Sequence, residues 1–205
     1  MLPTIYDHVT NIVSLDKTAK DPFPDGSPLG VTVHYTGGPK VVSAIRTLIA
    51  ADLGYHLLID RDGAVFQMTS FNRKCWHAGK AVWLGRSPNH HHVSVSLSSW
   101  GYLDQNLKTY TGQKLSIDES SYRPDNVTGR MYYWHKATDK QIVALRSFLY
   151  WTVQHGIDPD AVCGHDEACL PKGRKLDPGG VLPFHMSELR DELRAYKKNS
   201  ASILA

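Results

Sequence analysis

His34 closes an apolar alternation, Val31-Thr32-Val33-His34, and His165 follows Cys163-Gly164 much later, with Lys175 and Asp177 just beyond it. Two imidazoles and a carboxylate suffice to hold a catalytic Zn²⁺ and leave one position open for water. Zinc accepts neutral imidazole and carboxylate without redox complication. Lys175 sets a cation beside such an ion, able to polarise a carbonyl or stabilise the oxyanion formed in hydrolysis. Asp177 precedes Pro178-Gly179-Gly180, a stiff then flexible turn that presents a carboxylate at a fixed angle. Cys169 is a rival third ligand, because thiolate also binds zinc well. Taken singly, each residue has an ordinary explanation: a structural histidine at a strand end, a turn aspartate, a solvated lysine in the basic run Lys172-Gly173-Arg174-Lys175. The combination points to hydrolysis.

Further candidates surround this set. Tyr55 stands at the start of an apolar run, where its hydroxyl either bonds a water at the metal or simply reaches the surface. Trp76-His77-Ala78-Gly79 and Trp83-Leu84-Gly85-Arg86 place aromatic and glycine residues beside polar ones. That mixture suits the wall of a groove for a sugar or peptide, with core packing the competing account for Trp76 and Trp83. His90-His91-His92 is conspicuous, but consecutive side chains diverge and three cannot converge on one ion. Cys75 and Cys163 read as core cysteines.

The elements that must position these residues follow from periodicity. Residues 30–35 predict a buried strand, 41–49 an amphipathic helix, and 55–59 and 64–68 a hairpin turning at Arg61-Asp62-Gly63. Val93, Val95 and Leu97 alternate with Ser94, Ser96 and Ser98 in another strand. Thr138 or Asp139 caps a helix bearing Ile142, Leu145, Leu149 and Val153 on one face, ended by Gly156. Residues 163–180 read as a Gly/Pro-rich loop, and Ser187 begins a last helix with Leu189, Leu193 and Tyr196 inward. The expected fold is α/β: a central mixed β-sheet flanked by helices in a single domain. Residues 1–28 are expected to form an N-terminal arm, 29–198 the domain, 101–136 a surface excursion without regular structure, and 199–205 a tail.

Composition bounds the rest. The 205 residues are 41% hydrophobic and carry a net charge of +3, which suits one domain. No basic stripe alternates with aromatics, so nucleic acid is not an expected partner. No apolar stretch is long enough for stable membrane insertion. The start of the chain lacks the pattern of a signal peptide, which predicts cytoplasmic synthesis. Three cysteines make a disulfide framework improbable, although Cys163 and Cys169 are near enough to pair. The expectation is a monomer.

The combined motifs resemble those of the zinc-dependent N-acetylmuramoyl-L-alanine amidases, which share a fold with bacteriophage lysozyme-type amidases and peptidoglycan recognition proteins. The matching segments are Val31-Thr32-Val33-His34-Tyr35-Thr36, Gly54-Tyr55-His56-Leu57-Leu58-Ile59 with Asp62-Gly63, Trp76-His77-Ala78-Gly79 with Trp83-Leu84-Gly85-Arg86, and Gly164-His165 with Gly173-Arg174-Lys175-Leu176-Asp177-Pro178-Gly179. They occur in the family's order. The resemblance implies Zn²⁺ in a surface groove, held by His34, His165 and Asp177, with Lys175 and Tyr55 catalytic. Trp76, His77, Trp83, Arg86 and Ser96 are expected to line the groove. The substrate implied is peptidoglycan or a muropeptide, cut between N-acetylmuramic acid and L-alanine. One departure stands out: cytosolic bacterial relatives carry a glutamate where this chain has Ser96, and serine is no carboxylate base. Chemistry is therefore expected to rest on Tyr55 and Lys175, with Glu167 an alternative carboxylate. The missing signal peptide fits an endolysin-type enzyme that meets the wall after release, and equally a bacterial enzyme released by a dedicated secretion route. The alternatives are a non-catalytic recognition module and a cytosolic recycling amidase.

Overall fold

The computed structural model describes residues 1–203. Alternation in the early strands decides the architecture. In β2 (Gly30–Tyr35), Val31 and Val33 face one side of the sheet while Thr32 and His34 face the other. The pattern recurs in β3 (Leu57–Ile59), where Leu57 and Ile59 oppose Leu58, and in β5 (His92–Leu97), where Val93, Val95 and Leu97 oppose Ser94 and Ser96. With β1 (Asn11–Ile12), β4 (Val65–Gln67) and β9 (Val162–Gly164), they form one sheet in the order β1-β4-β3-β5-β2-β9. Every neighbouring pair is parallel except the β3–β4 hairpin.

Helices cover both faces of this mixed sheet. On the aliphatic face lie α3 (Asp139–Gln154) and α5 (Met186–Ile203), burying Leu145, Phe148, Leu149, Leu189 and Leu193 against β2, β3 and β5. Thr138 caps α3 as expected, its hydroxyl accepting from the Gln141 N–H while the Gln141 side chain accepts from the Thr138 N–H. On the opposite face α1 (Val41–Ala50) buries Val41 and Ile45 against Leu58 and Met68. The N-terminal segment runs along the sheet edge through β1 and sinks Leu2, Tyr6 and Phe23 into the core.

Three expectations need correction. Residues 101–136 are not irregular: β6 (Tyr102–Leu103), β7 (Ser120–Pro124) and β8 (Met131–His135) form an antiparallel sheet in the order β6-β8-β7. Trp134 anchors it to the domain, fully buried against Gly179 and Gly180. A Cβ at Gly180 would lie 2.4 Å from the Trp134 indole, so the close approach requires glycine there. Residues 163–180 are not all loop, since β9 is followed directly by α4 (His165–Ala168), the short helix α2 (Pro88–His91) having preceded β5. The last helix starts at Met186 and runs through most of the expected tail to Ile203, and 204–205 lie outside the described residues. Cys75, Cys163 and Cys169 are all buried free thiols, so Cys163 and Cys169 do not pair.

Candidate metal centre

Three segments far apart in the chain meet at the C-terminal end of β2. His34 is the penultimate residue of that strand, on the polar face. His165 opens α4 immediately after β9, the parallel neighbour of β2. Asp177 closes the following loop, and its carbonyl accepts the Asp166 N–H at 2.7 Å, pinning the loop to α4. His34 Nδ1 and His165 Nδ1 stand 2.8 and 2.9 Å from the same Asp177 carboxylate oxygen. All three residues are buried, and their ligand atoms lie within 4.8 Å of one another. Cys169 is not part of the cluster; its thiol donates to the Asp166 carbonyl.

Protonation tests whether this donor set fits a cation. His165 Nε2 lies 2.9 Å from the Ala78 carbonyl, which only accepts, so Nε2 carries a proton. With Nε2 so engaged, Nδ1 is the ring atom that His165 presents to the Asp177 carboxylate, beside Nδ1 of His34. Burial lowers the His34 pKa to about 4, against the opposing Asp177 hydrogen bond, so its ring is neutral at pH 7. Burial pushes the Asp177 carboxyl up, but hydrogen bonds from His165 and His34 outweigh it and hold the group below the usual carboxylate range. Two imidazoles and an ionised carboxylate suit Zn²⁺. The residues therefore fit that ion.

An open groove of about 650 Å³ exposes this centre, bordered by Tyr35, Tyr55, His77, Tyr102, Tyr132 and Lys175. Tyr55 leans over His34, ring centroids 4.9 Å apart. Burial raises its phenol pKa, the Asp177 charge raises it further, and Ser96 opposes the rise, so Tyr55 is a proton donor at neutral pH. Lys175 is exposed on the groove wall. Its neighbour Arg174 donates to the Leu170 carbonyl within the loop and ties the loop to the Ala78-Gly79-Lys80 turn through the Lys80 carbonyl.

Several expected groove residues lie elsewhere. His77 lines the groove, but its Nδ1 also contacts His34 Nε2 at 3.0 Å. Trp83 donates its indole N–H to the Asp160 carbonyl and lies under the Arg190 guanidinium, away from the groove wall. Trp76 packs edge-on to His90, and Arg86 reaches Asp25. Ser96 is fully buried beside His34 in the β2–β5 register. Glu167 is not a free base, because Arg190 holds it bidentately at 2.8 Å for each bond. Reading the sequence missed Tyr35, Tyr102 and Tyr132; the last two come from the accessory sheet, whose short strands gave no clear period.

Residues 24–180 match the family model for N-acetylmuramoyl-L-alanine amidase. The chain belongs to this family. The amidase is an enzyme of peptidoglycan hydrolysis, and its fold is similar to three solved relatives. A selenomethionine derivative of AmpD shares 20% identity at a TM-score of 0.59, over 93% of this chain and 98% of that one. The amidase AmiD from E. coli, solved with anhydro-N-acetylmuramic acid-L-Ala-D-γ-Glu-L-Lys, shares 21% identity at 0.59, over 82% of this chain and 58% of that one. The endolysin amidase LysCS from Clostridium intestinale shares 16% identity at 0.53, over 92% and 99%. At these identities the likeness is one of fold. The chain spans less than two thirds of AmiD's length. No curated protein matches the sequence.

Proposed function

We propose that the amidase is a zinc-dependent, wall-lytic enzyme that cleaves the amide between the lactyl group of N-acetylmuramic acid and L-alanine. The convergence of His34, His165 and Asp177, the last two lining an open groove, carries this reading. His34, His165 and Asp177 would hold Zn²⁺, which supplies Lewis acidity at neutral pH. Lys175, on the groove wall, offers its ammonium to the carbonyl oxygen as charge develops there. Tyr55 keeps its proton and sits over His34, placed to orient the attacking water and to pass a proton toward the departing amine. No carboxylate base is needed from β5, where Ser96 stands.

The wall itself is the substrate of this reading, in preference to small recycled fragments, because Ser96 stands where the cytosolic recycling relatives carry a glutamate; the enzyme then meets its substrate after release from the cell that makes it. Among the described residues no helix is long and apolar enough to cross a membrane. The test is release of new L-alanine amino termini from purified sacculi and from soluble anhydromuropeptides, with and without chelator. Release from sacculi that stops with chelator and returns with Zn²⁺ is expected. Faster turnover of soluble fragments contradicts the wall-lytic reading, and binding without release makes the protein a recognition module.

A further inference from the structure

Beside the metal groove lies a second cleft, of about 420 Å³, sharing Thr36, Gly37 and Tyr55 with it. The two clefts are thus neighbours, with Tyr55 at the boundary between them. One wall is the exposed side of α1, with Ser43 and Thr47, and Lys40 just before it; the other comes from the segment after β5, with Trp100, Tyr110 and Gln113. The volume falls within the ordinary range of small-ligand sites, about 300–1,000 Å³.

The chemistry of these walls is selective. Trp100 and Tyr110 meet edge to face, ring centroids 5.6 Å apart and planes at 72°, making an aromatic corner in the cleft wall. Tyr110 is 73% exposed, so burial in the core does not account for its position. The side chains of Ser43 and Gln113 bond no protein group among the described residues, which leaves a hydroxyl and an amide for a ligand. The cleft wall carries no carboxylate and one cation, Lys40. Aromatic faces against C–H surface, with neutral hydroxyl and amide groups around them, match a pyranose ring bearing hydroxyl and acetamido groups. An acidic peptide fits less well here. Arg174 and Lys175 lie in the metal groove and not in this cleft, so the stem peptide finds its cations there.

We propose that this cleft is a saccharide subsite, holding the sugar joined to the muramoyl residue whose amide is cut. The glycan then runs toward Trp100 and Tyr110 and the stem peptide past Lys175, and the enzyme selects glycan-borne substrate over single-sugar muropeptides. This inference rests on the amidase reading above and adds the direction in which substrate lies.

The test compares kcat/KM for three substrates: N-acetylmuramoyl-tripeptide, the same tripeptide on the N-acetylglucosaminyl-N-acetylmuramoyl disaccharide, and that disaccharide bearing a dipeptide. The zinc-loaded wild type is expected to favour the disaccharide over the single sugar by about tenfold or more, or ~1.4 kcal/mol. Tyr110→Ala and Gln113→Ala are expected to collapse that ratio toward one, chiefly through KM. Trp100→Ala should do the same, with the exposed Tyr110 substitution standing in if Trp100→Ala fails to fold. Absence of disaccharide preference in the wild type, or losses that follow stem length instead of sugar number, overturns the proposal. If the wild type cuts none of the three, the amidase reading fails separately. Calorimetric binding of the same compounds to wild type and Tyr110→Ala then decides the subsite alone, with equal affinity for one and two sugars overturning it.

Discussion

His34 and His77 meet nitrogen to nitrogen, Nε2 to Nδ1 at 3.0 Å, with room for one proton between them. When His34 turns its Nδ1 lone pair to a cation, its Nε2 must carry that proton and donate it to His77. His77 then keeps its own proton on Nε2, a buried atom with no partner among the described residues. Loss of such an outer partner typically weakens metal binding about 10–100-fold. His77→Ala is expected to weaken zinc binding by that amount in a chelator competition. His77→Gln, whose amide oxygen accepts the same proton, should recover part of it. Wild-type zinc affinity in His77→Ala would show the contact to be incidental.

Lys175→Ala is expected to lower kcat by about 10²–10³, the scale for removing one group that stabilises a developing oxyanion. Zinc content should stay the same, because Lys175 is an exposed wall residue and not a ligand. Zinc analysis beside a turnover assay reads both quantities. Lost metal together with lost turnover would assign Lys175 to the metal cluster itself.

Zinc removal should destabilise the fold as well as stop the chemistry. The ligands are buried acceptors from three distant segments, so an ion held in the folded state alone stabilises it. At free zinc about 1,000-fold above Kd the gain is ~4 kcal/mol. Thermal melts with chelator, then with excess Zn²⁺, should show a lower midpoint that recovers. Identical midpoints would mean no ion is clasped there.

Acid should weaken the zinc-free protein well before its carboxylates titrate. Burial lowers the His56 pKa to about 4, partly offset by its bond to the Arg73 carbonyl, and lowers His92 to about 3. Both values lie below the ~6.5 of an unfolded histidine, so the unfolded chain takes up protons first. Stability is complete above that value and falls as pH drops toward the folded values, by about 1.4 kcal/mol per pH unit for each histidine. By pH 5 the two together cost roughly 4 kcal/mol. Urea midpoints from pH 7.5 to 5, with chelator present, measure the slope. A flat midpoint would require both rings to be accessible or already paired with acid groups.

Much of the central sheet was legible because a period of two survives in Val31-Thr32-Val33-His34 and Val93-Ser94-Val95-Ser96, and the α3 cap because Thr138 and Gln141 have the right spacing. The accessory sheet was not. Its strands have two to five residues, interrupted by Gly112 and Gly129, and Trp134 holds them through contacts with Gly179 and Gly180 that no local pattern announces. At the centre, residue types suggested His34, His165 and Asp177 while spacing could not choose Asp177 over Cys169, and motif order supplied that choice. Trp76 and Trp83 misled because an aromatic beside glycine suits a groove wall and a packed interior equally; Arg190, which decides the matter for Trp83, arrives from the last helix.

Trp134 also ties the fate of two regions together. The turn it grips begins two residues after Asp177, so the appendage that shapes one bank of the groove braces a ligand-bearing turn from behind. Trimming or exchanging that appendage to retarget the enzyme would therefore loosen the grip on the ion in the same stroke. Re-engineering its preferences is safest at the rim, leaving the indole and its two glycines untouched.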